Sequence, residues 1–300
     1  MDDMDFTKPA AEVPAASAPF KAANSRFYNA EAARRVFKAS GREERFDDGK
    51  TLFVEDDAAS RGGLLSMRAA SRMYFVDEGQ VSLTIGSRSL DIVNVGEIVG
   101  EMAVITGRPR SATATARGPC IVHSMDATEL EAAIARDPPF ALMLASVMYD
   151  RLRFIAARLA SRPVAPGAKA REATVFEPEL VTRLEAALPR SAVARYGRES
   201  IIMKEGQAGT FMYLVKSGRI AIAVGGHIVE MVGPGGTFGE MAVVDQSPRT
   251  ARAGAVEESE LIAIDRAALV EVVKKEPAFA LALLRGIAER LRHMNAMLGK

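Results

Sequence analysis

Three hundred residues with 48% apolar content exceed the usual size of one domain and supply enough side chains for two packed cores. Lys and Arg total 39 against 38 Asp and Glu, a formal charge of +1, so the whole chain carries no electrostatic footprint for nucleic acid or an anionic membrane. The lone cysteine, Cys120, excludes an internal disulfide, a Cys-ligated iron–sulfur cluster and a Cys-type zinc site, which makes a reducing cytoplasm the expected location.

In chain order, residues 1–25 open on acids, are rich in Ala and Pro, and have too few large apolar side chains to pack. They read as a flexible tail without the charge order or apolar centre of a signal peptide. Arg34-Arg35-Val36-Phe37 then fits an amphipathic helix. Residues 58–68 are loop-like and read as a surface insertion, with a contact loop around Leu64 and Leu65 as the sharper alternative. The stretch 161–173 has two prolines and a glycine and is the expected linker. In the second half, strands are expected over 199–204, 211–216, 219–224, 227–232 and 260–265, punctuated by glycine turns. Asp265 is an expected helix N-cap, and Pro277 stands where a final helix over 278–298 can begin. That helix has a broad apolar face including Phe279, Leu283, Leu284, Ile287, Leu291 and Met294, which could pack back on these strands or pair with a second copy in a homodimer. No stretch reaches the roughly 20 apolar residues of a spanning helix, so no membrane insertion is expected.

The chain repeats itself at an offset of 139 residues. Met73-Tyr74 matches Met212-Tyr213, Gly79 matches Gly218, Gly96 matches Gly235, and Gly100-Glu101-Met102-Ala103-Val104 matches Gly239-Glu240-Met241-Ala242-Val243. Pro109-Arg110 matches Pro248-Arg249, and the register holds through Phe140/Phe279 to Arg151-Leu152/Arg290-Leu291 without a gap. A period this long is a duplicated domain, too long for a solenoid repeat. The expected fold is mainly β with flanking helices (α+β): two antiparallel, jelly-roll-like β-rolls in tandem. The expected division is a tail at 1–25, domains at 26–160 and 176–300, and a linker at 161–175.

Gly100-Glu101-Met102-Ala103 with Pro109-Arg110-Ser111, and Gly239-Glu240-Met241-Ala242 with Pro248-Arg249-Thr250, resemble the phosphate-binding cassette of cyclic nucleotide-binding domains. Such domains occur in the regulatory subunit of protein kinase A, the catabolite activator protein and nucleotide-gated channels. The resemblance covers about 26–160 and 176–298 and implies a ligand, cAMP or cGMP, at each cassette. The residue types suit that chemistry. A cyclic phosphodiester carries one delocalised charge, and the planar guanidinium of Arg110 or Arg249 can offer it two parallel donors. Gly100 and Gly239 allow close backbone approach, and the Glu-Met-Ala turn can direct N–H groups at the phosphate. Glu101 and Glu240 accept hydrogen bonds only; the resemblance assigns them the ribose 2′-hydroxyl. Ser111 and Thr250 place a hydroxyl beside the phosphate or base, and the resemblance associates Thr250 with tolerance of cGMP.

A glutamate and an arginine nine residues apart could instead be a surface ion pair on a turn, but duplication of the whole cassette argues against it. The resemblance also implies that the last helix of each domain closes over the base. The candidates are Tyr149 and Arg153 in the first domain and Arg292, His293 and Asn295 in the second. His123, His227 and His293 are too scattered for a metal site, and no nucleophile-and-base pattern marks an enzyme. The expected function is a cyclic-nucleotide receptor that regulates an unidentified partner protein, with no catalytic residue, no cofactor and no nucleic acid. A ligand-free scaffold of the same fold is the alternative. A transcription regulator is less expected, because no stretch after the final helix is left for a helix-turn-helix.

Overall fold

The computed structural model describes residues 27–56, 71–160, 170–173, 176–188 and 192–297. The tail at 1–25 and the insertion at 58–68 lie outside them. The described residues form two compact units, divided in sequence between Val147 and Met148.

The first unit opens with α1 (Ala30–Ser40), capped by Asn29, whose side chain accepts from the Ala32 N–H. The helix buries Ala33, Val36 and Phe37, the amphipathic face expected of this stretch. Six antiparallel strands follow: β1 (Arg42–Phe46), β2 (Thr51–Phe53), β3 (Met73–Ile85), β4 (Arg88–Val93), β5 (Ile98–Val99) and β6 (Thr113–Met125). The long strands β3 and β6 pair from Met73 and Met125 to Thr84 and Thr113 and form the centre of the order β1-β6-β3-β4, with β2 on β6 and β5 on β3. Alternate residues of these strands, among them Tyr74, Val76, Val81, Ala114, Ala116 and Val122, make the core. Between β5 and β6 lies α2 (Glu101–Thr106). After β6 come α3 (Ala127–Arg136), entered through a capping box of Asp126 and Glu129, and α4 (Pro139–Ala160), which runs from the first unit into the second.

From Met148 onward, the second unit contains the rest of α4, then β7 (Arg171–Ala173), α5 (Pro178–Ala187), β8 (Val193–Tyr196) and β9 (Ile201–Met203). β10 (Phe211–Ser217), β11 (Ile220–Val224), β12 (His227–Val232), β13 (Thr237–Phe238) and α6 (Glu240–Asp245) follow. β14 (Arg252–Ala255), β15 (Ser259–Asp265), α7 (Arg266–Lys275) and α8 (Pro277–Met297) complete it. The strands form two sheets, β13-β10-β15-β8 and β7-β12-β11-β14-β9.

The mainly β, tandem-roll architecture is as expected. Each of the five strands expected in the second half is present with its ends within two residues, and Asp265 caps α7 through the Ala268 N–H. The strands β8, β13 and β14 span two to four residues, too few to show an alternating pattern in sequence. The stretch expected as linker contributes β7, which pairs parallel with β12, Arg171 opposite Glu230. The compact units divide inside α4 instead of at this stretch.

One position shows how the copies have diverged. A shift of register between Val76 and Glu78 leaves Asp77 out of the β3–β6 ladder, where it receives Arg34 Nε of α1 at 2.5 Å and Lys38 Nζ at 3.3 Å. The matching shift between Val215 and Ser217 frees Lys216, whose Nζ reaches Glu185 Oε1 of α5 at 2.5 Å. The same bulge thus ties the roll to its preceding helix with reversed charge.

Burial alone would raise the Asp77 pKa, but hydrogen bonds from Arg34, Lys38 and His123 outweigh it and bring it below the usual carboxylate value. A depressed folded-state pKa gives stability that is present above the unfolded value of about 4 and lost as pH falls through the folded one. Asp77→Asn should therefore lower the urea midpoint at pH 7, and the difference should close below pH of about 4. Gly79 has φ +81 and its missing Cβ would collide with the Pro119 carbonyl, whereas Gly118, at φ +79, faces open space. Gly118→Ala should cost about 1 kcal/mol from backbone strain alone, and Gly79→Ala clearly more, by the same denaturation measurement.

Candidate ligand-binding site

Each cassette begins with a glycine in the left-handed region, Gly100 at φ 84 and Gly239 at φ 79, which turns the chain from a two-residue strand into a six-residue helix. A Cβ at Gly239 would come within 2.6 Å of Arg249 Nη1, so the glycine is required both by φ and by the approach of the guanidinium.

The two arginines are held alike. Arg110 donates from Nη1 to Gly100 O at 3.0 Å and from Nη2 to Arg72 O at 2.7 Å. Arg249 donates to Gly239 O at 2.6 Å and Phe211 O at 2.5 Å. Both side chains are buried, with Arg110 also lying over the Phe53 ring at 4.1 Å. Burial lowers the Arg249 pKa from its ordinary value, opposed by Tyr213 and Glu240. Among the described residues no carboxylate comes within ion-pair distance of Arg249, so two carbonyl dipoles are its immediate partners and an anion would find its charge available.

Around Arg249 the second unit has a pocket of about 690 Å³, part of it open to solvent. Its lining includes Gly239, Glu240, Met241, Ala242, Arg249 and Thr250, the six residues singled out in the second cassette. Thr250 donates to Met241 Sδ at 3.2 Å. In the first cassette Glu101, Ala103 and Arg110 are buried, Met102 is half-buried and Ser111 exposed.

Glu240 belongs to a buried charge network that residue types and spacing do not show. Arg290 of α8 donates from Nη1 to Glu240 Oε1 at 2.8 Å, from Nε to Glu230 Oε2 at 2.8 Å, and from Nη2 to Thr237 O. Thr237 also donates its hydroxyl to Glu240. Arg171 approaches Glu230 at 3.4 Å and Glu289 at 3.2 Å. Burial opposes the Arg290 charge, but Glu230 and Glu240 outweigh it and hold its pKa well above the ordinary arginine value.

The lid candidates are distributed differently from expectation. Tyr149 and Arg153, expected over the first cassette, belong to the second unit. Tyr149 is fully buried, its hydroxyl has no hydrogen-bond partner among the described residues, and burial with the charge of Glu240 pushes its pKa well up. Arg153 pairs with Asp245, the last residue of α6, and donates to Ser247 Oγ at 2.8 Å. The repeat aligns these residues with Ala288 and Arg292 of α8, and likeness of sequence does not say which surface a helix covers. Of the others, His293 lines the pocket, Arg292 is half-buried and Asn295 is exposed. Burial lowers the His293 pKa, so its imidazole is neutral at pH 7. Among the described residues there is no metal-binding cluster of His, Cys, Asp or Glu, and no helix is long and apolar enough to cross a membrane.

Arg290→Met would leave Glu230 and Glu240 buried without their shared cation. The expected loss is about 3–5 kcal/mol, read as a lowered urea midpoint. Arg290→Lys, whose three donors sit on one nitrogen and cannot span the acceptors reached by Nε, Nη1 and Nη2, should recover only part of it.

The sequence profile of the cyclic nucleotide-binding domain matches residues 67–137 and again 193–276, together more than half of the chain. The chain is 32% identical over 105 residues to the CRP-like cAMP-activated global transcriptional regulator of Mycobacterium tuberculosis, covering 33% of this chain and 47% of that protein. It is 25% identical over 223 residues to a cGMP-dependent protein kinase of Toxoplasma gondii, 74% of this chain and 20% of the kinase. The chain thus spans about half or less of the length of these two relatives. Among solved structures, cAMP-bound PfPKA-R (141-441) aligns over 92% of this chain and 88% of its own, at 18% identity and a TM-score of 0.33. With a profile match around each of its two glycine–arginine cassettes, the chain belongs to the cyclic nucleotide-binding domain family, whose module it carries twice.

Proposed function

We propose that the chain is a receptor for cAMP or cGMP, with one site at each cassette, and that occupancy regulates a partner protein. The observation that carries this reading is the buried Arg249 guanidinium, held by carbonyls and facing a pocket that also contains Glu240. Arg110 is held the same way in the first unit. At the second cassette the cyclic phosphate would take the remaining Arg249 donors, and at each cassette the 2′-hydroxyl would donate to the glutamate, Glu101 or Glu240. The regulators and kinases named among the relatives support the ligand class.

Signal transfer runs through α8. Glu240 Oε1 already accepts from Arg290 and Thr237, so a ligand hydroxyl arriving there competes with the bond that ties α8 to the cassette. A ligand changes the helix only by binding its two arrangements unequally. In this reading the chain is a receptor and not an enzyme, binding and orienting an anion instead of transforming it. Cytoplasmic location accords with a single, buried cysteine.

Calorimetric titration with cAMP and with cGMP should give two ligands per chain for at least one of them. Arg110→Ala and Arg249→Ala should each remove one site, and the double variant both. Unaltered stoichiometry in the single variants would overturn the site assignment. Absence of binding of either nucleotide to the parent chain would instead favour a scaffold that has kept the fold.

A further inference from the structure

The second pocket has a wall that its own roll does not supply. Leu152 and Ala156, on α4, line it together with Glu240, Arg249 and Thr250. Three further contacts hold this part of α4 in place within the second unit. Arg153 binds Asp245 and Ser247, two residues that flank the end of α6 and the approach to Arg249. One turn earlier, Tyr149 is wholly buried. At the far end, Ala160 lies against Gly225 in the β11–β12 turn so closely that a Cβ on Gly225 would come within 2.6 Å of the Ala160 Cα.

From this geometry we propose that Leu152 and Ala156 of α4 form a ligand-contacting wall of the second site, and that Arg153 on Asp245 and Ser247 is the latch that holds it there. The inference rests on the nucleotide reading above and adds residues to it. The chemistry of the wall fits one part of such a ligand. In the same lining Arg249 and Glu240 supply the groups for phosphate and ribose, while Leu152, Ala156, Met203, Ile222 and Val224 supply apolar side chains suited to the flat face of a purine. The latch is particular to this cassette. Asp245 is matched at the 139-residue offset by Thr106, whose hydroxyl turns inward to the Met102 carbonyl at 2.6 Å. The two sites of one chain should therefore differ in how their ligand is enclosed, the second opening only as fast as α4 lets go.

The test uses the full chain with the nucleotide that the titration shows to bind, and reads both sites in each protein. Ala156→Phe fills the wall and should weaken the second site about tenfold or more, with the first site unchanged. Arg153→Gln removes the charge that holds the latch, leaves the wall itself intact, and should speed release from the second site at least about fivefold in stopped-flow displacement. Retained binding at the first site serves as the folding control within each molecule. If the parent binds two nucleotides and both variants keep second-site affinity and release rate, the α4 wall is wrong while the receptor reading stands. If the parent binds none, both fall together.

Discussion

Each cassette is closed onto its roll by a buried guanidinium that donates to two carbonyls, one 10 and one 38 residues earlier in the chain. Hydrogen bonds from a charged donor are the stronger kind, and here they join the glycine at the start of the short helix to the residue just before the central strand or at its start. This fixes the loop that the sequence leaves to a Gly-Glu-Met-Ala turn and a Pro-Arg pair. Arg249, whose immediate partners are two such carbonyls, keeps donors beyond those two bonds. The shape of the cassette rests on this one side chain, and a lysine, with its donors on a single nitrogen, could not bridge both carbonyls in the same way.

The duplicated modules keep this clamp and vary what surrounds it. Around the first, Arg72, whose carbonyl receives Arg110, has its own guanidinium fixed by Ser124, Asp126 and Glu129 at the entry of α3. Its counterpart Phe211 gives a carbonyl to Arg249, and the residue is 41% exposed. At the bulge, Asp77 facing Arg34 and Lys38 is replaced by Lys216 facing Glu185. A helix bearing Arg34 would meet like charge at the Lys216 bulge, and one bearing Glu185 would meet Asp77. Two similar rolls in one chain can exchange helices, and opposite polarity at the docking point disfavours that exchange during folding.

What the sequence made legible is whatever depends on residue type and short spacing. The glycines, glutamates and arginines of both cassettes have a chemical reason to stand where they do, and the 139-residue offset exposes them twice. Glu230 was hidden for a local reason. A register shift opposite Ile222 and Ala223 breaks the inside-outside alternation of β12, so the adjacent residues Val229 and Glu230 are both buried. Arg171 falls in the stretch that two prolines and a glycine mark as a linker, and its strand of three residues is too short to show an alternating pattern. Tyr149 and Arg153 follow from the resemblance, which assigns the last helix of each domain to that domain's own base, whereas the compact units divide within α4. A helix of 22 residues has faces enough for two packing surfaces, and its sequence does not name its neighbours.

The short helix α6 gathers these threads. Six residues cannot sustain a helix by local bonding alone, so its order depends on tertiary ties. Its first residue, Glu240, is held by Arg290 from α8; its last, Asp245, by Arg153 from α4; and Arg266 of α7 donates to the carbonyls of Val243 and Val244. The positive groups at its C-terminal end complement the helix dipole, and Arg249 fastens the glycine before it. Four guanidiniums from different parts of the chain thus converge on less than two turns. An added anion beside Arg249 and a hydroxyl on Glu240 would alter two of these four ties at once, and α8 and α4 bear on the opposite ends of the same element. A binding event at the second cassette can therefore reach both long helices through a single rearrangement, without any continuous path through the core of the roll.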